Sequence, residues 1–232
     1  MPRDVGVVIV AGGSAQRMGG ATPKQFLPVR GVPMLLWTLR PFTSHPDVVN
    51  VTVVVPAGID SALPAWLSDL VEAGLRVVAG GAERMDSVEN GLRALPEDCA
   101  VVLVHDAARP FVSREVIDGV ITYARAGDGA IAALPVRDTL KASRTSGVDA
   151  VIAETVPRDT IWRAQTPQGF PRPLLERAFQ QARADGASAT DEASLVERLN
   201  HKIHLVMDSS WNIKITTPED LRLAELIAGD LV

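Results

Sequence analysis

The feature that most constrains this chain is a regular alternation between short, continuous apolar runs and longer amphipathic stretches. Val5–Val10, Val51–Val55, Leu75–Val78, Val101–Val104 and Ala130–Leu134 are rich in β-branched residues and do not alternate with polar ones. A strand reads this way when both faces of its sheet are covered by helices. Between these runs, Met34–Phe42, Ile59–Glu72, Met85–Leu95 and Ser113–Ala126 carry helical spacing. Strand–helix alternation at this pitch predicts an α/β fold: a doubly wound, mostly parallel sheet of Rossmann-like type. In such sheets ligands bind outside the carboxyl ends of the strands. Those ends are therefore where chemistry is sought.

The alternation breaks after Leu134. The stretch from Pro135 to about Arg163 spreads Val136, Thr139, Val148, Val151, Ile152 and Thr155 among charged and small residues, with Ser143–Gly147 as a turn. A polar hairpin of this kind is marginal alone. It predicts an arm over about 136–162 that lies on another body, most simply a second copy of the chain. Helical patterning returns at Pro173–Ala184 and Asp191–Leu199, followed by short extended segments at Ile203–Met207 and Asn212–Ile215. Thr217-Pro218-Glu219-Asp220 opens a last helix, with a cap, a first-turn proline and acids. No repeat or linker divides residues 1–232, so a single domain carrying the arm is expected.

Composition narrows the function. A net charge of −5 argues against a general nucleic-acid binder, which would carry a basic excess. Cys99 is the only cysteine, which excludes an intramolecular disulfide and points to a reducing compartment. Asp4 stands where a secretory signal would be positive, and no apolar run approaches the ~18 residues of a membrane span. The expectation is a cytoplasmic protein.

Three strand ends carry chemistry-bearing residues. The first strand runs into Ala11-Gly12-Gly13-Ser14-Ala15-Gln16-Arg17-Met18-Gly19-Gly20. Glycines here let backbone N–H groups approach phosphate oxygens. The segment lacks the Gly-Lys-Ser/Thr of a P-loop, the spacing of a dinucleotide fingerprint and the Gly-x-Ser-x-Gly of a hydrolase elbow. Arg17 and Lys24 follow in the same connection, placed to fold two cations over a bound triphosphate. The third strand ends in Gly80-Gly81-Ala82-Glu83-Arg84-Met85-Asp86-Ser87 and passes directly into a helix, setting amides and Ser87 at its N-terminus. The fourth ends in His105-Asp106. Adjacent strand residues face opposite ways, so the two are not expected to share a metal. Asp106 suits Mg²⁺, which takes one or two carboxylates plus phosphate oxygens. His105 reads as a hydrogen-bonded histidine beneath the site.

Together these segments resemble the 2-C-methyl-D-erythritol 4-phosphate cytidylyltransferase family. The likeness rests on Ala11-Gly-Gly…Arg17-Met18, Pro23-Lys24-Gln25, Gly80-Gly81-x-x-Arg84-x-Asp86-Ser87-Val88 and Val104-His-Asp-Ala-Ala-Arg-Pro110. It continues through Pro135-Val-Arg-Asp-Thr139, Gln165-Thr-Pro-Gln168, Thr190-Asp-Glu-Ala-Ser194 and Asn212-Ile-Lys-Ile-Thr216. Ala15 stands where the family usually has glycine, and Ala82 where some members are acidic. The resemblance implies transfer of CMP from CTP to methylerythritol phosphate, with Mg²⁺ and release of pyrophosphate. It implies that Arg17, Lys24 and Lys214 are catalytic, and that Ala11, Gly12, Gly13, Gly81, Ala82, Ser87 and Asp106 hold the nucleotide. Asp106, Arg109, Thr139, Arg158, Thr166 and Thr190 would hold the small phosphorylated polyol, several of them coming from a partner subunit through an exchanged arm in a homodimer. A ribitol 5-phosphate cytidylyltransferase shares the nucleotide half and remains the alternative. Two further alternatives are a guanylyltransferase of molybdenum cofactor synthesis, which Pro-Lys-Gln and His-Asp-Ala-Ala-Arg-Pro argue against, and a non-catalytic nucleotide sensor.

Overall fold

A computed structural model describes residues 3–12, 23–147 and 149–230. Its centre is a seven-stranded sheet built from β1 (Val5–Val10), β4 (Val48–Val55), β5 (Arg76–Ala79), β6 (Val101–Asp106), β7 (Gly129–Pro135), β10 (Trp162–Pro171) and β11 (Ile203–Met207). Two short strands, β2 (Pro28–Val29) and β3 (Val32–Pro33), pair with each other, as do β8 (Leu140–Ser143) and β9 (Ile152–Val156). The large sheet runs in the order β11-β7-β10-β6-β1-β4-β5.

The helices are α1 (Met34–Thr43), α2 (Ala65–Glu72), α3 (Arg84–Ala94), α4 (Arg114–Arg125), α5 (Arg172–Ala184), α6 (Glu192–Glu197) and α7 (Pro218–Asp230). The first six form two layers. Leu35, Leu39, Leu67, Ile117 and Val120, from α1, α2 and α4, pack with Val5, Val7 and Ile9 on one face of the sheet. Val88, Leu92, Leu175, Phe179 and Leu195, from α3, α5 and α6, pack with Val8, Val54 and Val104 on the other. Burial on both faces is the reason β1 reads as an unbroken apolar run. A smaller cluster joins α7 to Val29, Trp37, Phe111 and Ile215.

The chain moves from β1 outward to β4 and β5, then returns to β6 on the other side of β1. The topological switch therefore falls between β1 and β6, whose parallel register pairs Val10 with Asp106. A ligand crevice belongs there.

The structure departs from the sequence reading in three places. Ile59–Ser61 is a turn, and the helix expected from Ile59 begins only at Ala65, after Pro64. Asn212–Ile215 is not a strand; it is an irregular segment whose Ile215 N–H donates to the Ala108 carbonyl at 2.8 Å. Above all, Trp162–Pro171 is a strand that pairs antiparallel with both β6 and β7, so the sheet is mixed.

Within the stretch read as an arm, β8 and β9 pair as a hairpin, with Leu140 opposite Val156 and Ala142 opposite Glu154. It leaves the sheet between the end of β7 and the start of β10, where the Val136 N–H donates to the Ile161 carbonyl at 3.0 Å.

Candidate active site

The end of β1 and the β5–α3 turn enclose a cavity of about 320 Å³. Ala11 and Gly12 form one wall; Gly81, Ala82 and Ser87 form another. A Cβ on Gly81 would sit 2.2 Å from the Asp86 Cβ, so this turn closes only with glycine there. Ser87 is committed to the turn itself. Its hydroxyl accepts from the Gly81 N–H at 3.1 Å and donates to the Glu83 carbonyl at 3.1 Å. The Glu83 N–H is likewise used locally, donating to Asp86 Oδ2 at 2.9 Å.

Lys24 and Lys214 reach the same cavity from outside the sheet. Lys24 begins a single 3₁₀ turn, Lys24–Phe26, and its Nζ donates to the Ile215 carbonyl at 3.4 Å. Lys214 is carried by the irregular segment that replaced the expected strand. The Asn212 side chain anchors it, donating through Nδ2 to the Thr166 carbonyl at 2.9 Å and to Asp208 Oδ2 at 2.6 Å. The Asn212 carbonyl in turn accepts from Arg109 Nη1 and from Gln165 Nε2, both at 2.9 Å.

Asp106 lies at the focus. Lys214 Nζ is 2.8 Å from its Oδ2, Arg109 Nε is 3.6 Å from the same oxygen, and Arg84 Nη2 is 3.6 Å from Oδ1. Burial by itself would raise the Asp106 carboxyl, but Lys214, Arg84 and Arg109 outweigh it and hold it at about 2. It is therefore ionised at any physiological pH.

Beneath it, His105 is fully buried and uncharged. Burial lowers it to about 4. Its Nε2–H donates to the Arg109 carbonyl at 2.9 Å, which leaves Nδ1 to accept from the Thr166 hydroxyl at 3.0 Å. That hydroxyl oxygen accepts from the Asp106 N–H at 3.1 Å. This is the supporting role expected of His105.

A second cavity, of about 220 Å³, adjoins the first. Arg84, Asp106 and Lys214 line both. Arg109, Thr166 and Thr190 line the second alone, as do Gln165, Gln168 and Asp191. Arg109 Nε and Gln165 Oε1 are buried without a hydrogen-bond partner among the described residues, although Arg109 Nε faces Asp106 Oδ2 at 3.6 Å. No group of three or more His, Cys, Asp or Glu side chains that could hold a metal occurs among the described residues.

The structure thus gathers Ala11, Gly12, Lys24, Gly81, Ala82, Ser87, Asp106, Arg109, Thr166, Thr190 and Lys214 around two joined cavities. Thr139 and Arg158 are not among them; both are exposed on the arm, where Arg158 Nη1 donates to the Arg137 carbonyl. Gly13 and Arg17 lie outside the described residues. Sequence reasoning gave no role to Arg84, Glu192, Gln165 or Gln168. Each lay inside a recognised motif, but the partnerships that place them cross up to 108 residues.

A glycine-walled cavity at the switch point, sharing an ionised carboxylate and two cations with a second polar cavity, has the layout of a nucleotidyltransferase. Comparison narrows the class. The model of the 2-C-methyl-D-erythritol 4-phosphate cytidylyltransferase family, IspD, matches residues 5–230, and the chain belongs to that family. It is 44% identical over 223 residues to the enzyme of that name from Symbiobacterium thermophilum, covering 96% of this chain and 92% of the relative. With that from Syntrophus aciditrophicus it shares 40% over 231 residues, covering 97% and 96%. Among solved structures, the cytidylyltransferase of the same name from Thermus thermophilus superposes with a TM-score of 0.79 at 40% identity, covering 97% of this chain and 99% of that one.

Proposed function

We propose that the two cavities are the substrate sites of a CMP transfer from CTP to 2-C-methyl-D-erythritol 4-phosphate, a step in isoprenoid precursor synthesis. The observation that carries this reading is the junction. Asp106, Arg84 and Lys214 belong to both cavities, as a reaction between two bound phosphorylated substrates requires.

In this reading CTP occupies the first cavity. Its base lies against the Gly81–Ala82 turn and its phosphates face Ala11, Gly12, Lys24 and Lys214; the family likeness assigns Gly13 and Arg17 to the same role. The polyol phosphate occupies the second cavity, whose wall includes Arg109 and Gln165. Thr166 and Thr190 complete that wall. The acceptor's phosphate oxygen forms a bond to the α-phosphorus of CTP as the bond to the bridging oxygen breaks, and pyrophosphate leaves. A phosphate is already anionic at neutral pH, so no general base is needed. The chain's contribution is alignment and charge neutralisation by Lys24, Arg17 and Lys214.

Asp106 would hold Mg²⁺ as a single carboxylate ligand, with the nucleotide phosphates supplying further oxygens. The ion would offset charge on the phosphate oxygens. Lys214 Nζ lies 2.8 Å from Asp106 Oδ2 and lines the first cavity, where it would meet the nucleotide phosphates.

The arm supports a homodimer reading. Val151 and Ile152 are 62% and 59% exposed at its tip, and Thr139 and Arg158 lie away from their own chain's cavities. A partner's arm would bring Thr139 and Arg158 to the polyol site. No helix among the described residues is long and apolar enough to cross a membrane. The chain's single cysteine, free and buried, is the ground for proposing a reducing, cytoplasmic setting. Pyrophosphate release, measured for four nucleotides crossed with methylerythritol, ribitol and sugar phosphates, tests the assignment. Release with CTP and methylerythritol 4-phosphate, dependent on Mg²⁺, is expected. Release only with ribitol 5-phosphate, or only with GTP, overturns it.

A further inference from the structure

Arg84 and Glu192 each occupy the first position of a helix, α3 and α6 respectively. Glu192 is fully buried, with 1% of its surface exposed. Both of its oxygens are taken by the Arg84 guanidinium, Nη1 to Oε1 at 2.5 Å and Nη2 to Oε2 at 3.1 Å. The same Nη2 faces Asp106 Oδ1 at 3.6 Å. The start of α6 is held from the sheet side as well. Gln168 Nε2 donates to Asp191 Oδ2 at 2.9 Å, and Gln168 Oε1 accepts from the Ala193 N–H at 2.9 Å.

The position of this pair matters more than its strength. Upstream of Arg84 lies the Gly80–Glu83 turn of the first cavity; immediately before Glu192 lie Thr190 and Asp191 of the second. A buried ion pair is a poor device for stability, because packed apolar side chains of the same volume often serve as well or better. An arginine fork on a carboxylate does fix both distance and angle between the backbones that carry it, which an apolar contact does not.

We propose that the Arg84–Glu192 pair is a strut that sets the separation and angle of the nucleotide cavity relative to the acceptor cavity. Arg84 and Glu192 are then positioning residues, and Asp106 is oriented from the same fork. The inference rests on assigning CTP and the polyol phosphate to those two cavities. Misplacement of reacting groups by about 1 Å can cost ~10²-fold in rate while each substrate still binds.

The test uses Arg84→Lys, which keeps the charge but removes the fork, and Glu192→Gln, which keeps the shape but removes the charge. Glu192→Gln leaves no buried carboxylate unpaired, so it remains informative if Arg84→Lys does not fold. Steady-state kinetics are measured on both variants and on the double variant, with calorimetric titration of CTP alone. For each single variant kcat should fall ~10–10²-fold, with KM and calorimetric affinity for CTP within about threefold of wild type. The double variant should be no slower than the slower single one, because both changes break the same link. Unchanged kcat with only a lowered Tm makes the pair a packing feature and overturns the strut. A raised KM for CTP with kcat intact makes Arg84 a ground-state nucleotide contact and overturns it equally. Should wild type turn over a different acceptor, the kcat and KM split is read with that acceptor, so a wrong substrate assignment and a wrong strut give different results.

Discussion

The cavity floor and the arm both carry residues assigned to chemistry, but they are built differently. At the floor, Asp106 is the last residue of a fully buried strand and is touched by three cations from three separate segments. On the arm, Thr139 and Arg158 project from a two-stranded hairpin whose tip residues Val151 and Ile152 are mostly exposed. A group at the end of a core strand is positioned by its own chain, because moving it would disturb packing on both faces of the sheet. A group on a thin hairpin is held only as firmly as whatever the hairpin rests on. The floor's described residues come from one chain, whereas in the proposed homodimer the arm would serve the partner's site.

The largest effect is expected at the floor. Lys24 faces the nucleotide cavity from a short turn tied to the 212–215 segment. If it neutralises charge that grows during transfer, Lys24→Ala lowers kcat by ~10²–10³-fold and leaves CTP affinity, measured by calorimetry, much less affected. A loss confined to KM for CTP would reassign Lys24 to ground-state binding. It would also blur the contrast, since the floor would then bind without driving the reaction.

That contrast bears on what the sequence could reveal. The strands of the nucleotide half were legible because both faces of each are buried, which writes an unbroken apolar run into residues such as Val5–Val10. The strand Trp162–Pro171 was not. It contains Gln165, Thr166 and Gln168, which are buried because their side chains hydrogen-bond across the sheet end to Asn212, His105 and Asp191. Burial met by such long-range partners leaves no periodic signal. Asn212–Ile215 misled for the complementary reason. Ile213 and Ile215 look strand-like, but Asn212 is spent on anchoring and Ile215 enters the small α7 cluster. Lys24 could be singled out by its place in the connection after the first strand, but Lys214 only by resemblance, since its convergence on the same cavity is tertiary.

A smaller effect should appear as pH dependence of the floor alone. Folding buries His105 and lowers it to about 4 from an ordinary value near 6.5. Between those values the unfolded chain takes up a proton that the folded chain refuses. Stability from this group is therefore complete above about pH 6.5 and drains away as pH falls towards 4, by about 3 kcal/mol in all. Glu192 and Asp208, both raised by burial, act in the opposite direction. The comparison that isolates the histidine is the change in urea-unfolding free energy between pH 6.5 and 4.5 for wild type against His105→Gln. The variant should show the shallower fall. Equal slopes would mean that His105 is solvated when folded and that the floor is looser than its hydrogen bonds indicate. No histidine lies between residues 136 and 162, so the arm contributes nothing to this difference.

The smallest expected signal tests the arm most directly. If each active site takes Lys24 from one chain and Arg158 from the other, then Lys24→Ala and Arg158→Ala homodimers are each nearly inactive. The two variants, unfolded and refolded together so that chains exchange, form mixed dimers in about half of the population, by the pairing statistics of a two-fold dimer. In a mixed dimer one site collects both defects, while the other receives Lys24 from one chain and Arg158 from its partner and is wholly wild type. One site in four is thus restored, and the mixture recovers about a quarter of wild-type activity. Were Arg158 to serve its own chain, every site in every dimer would still carry one defect. Recovery would then be absent even after mass spectrometry of differently tagged chains had verified the exchange. Activity at the single-variant level in a verified mixture would place Arg158 with its own chain and end the contrast between floor and arm.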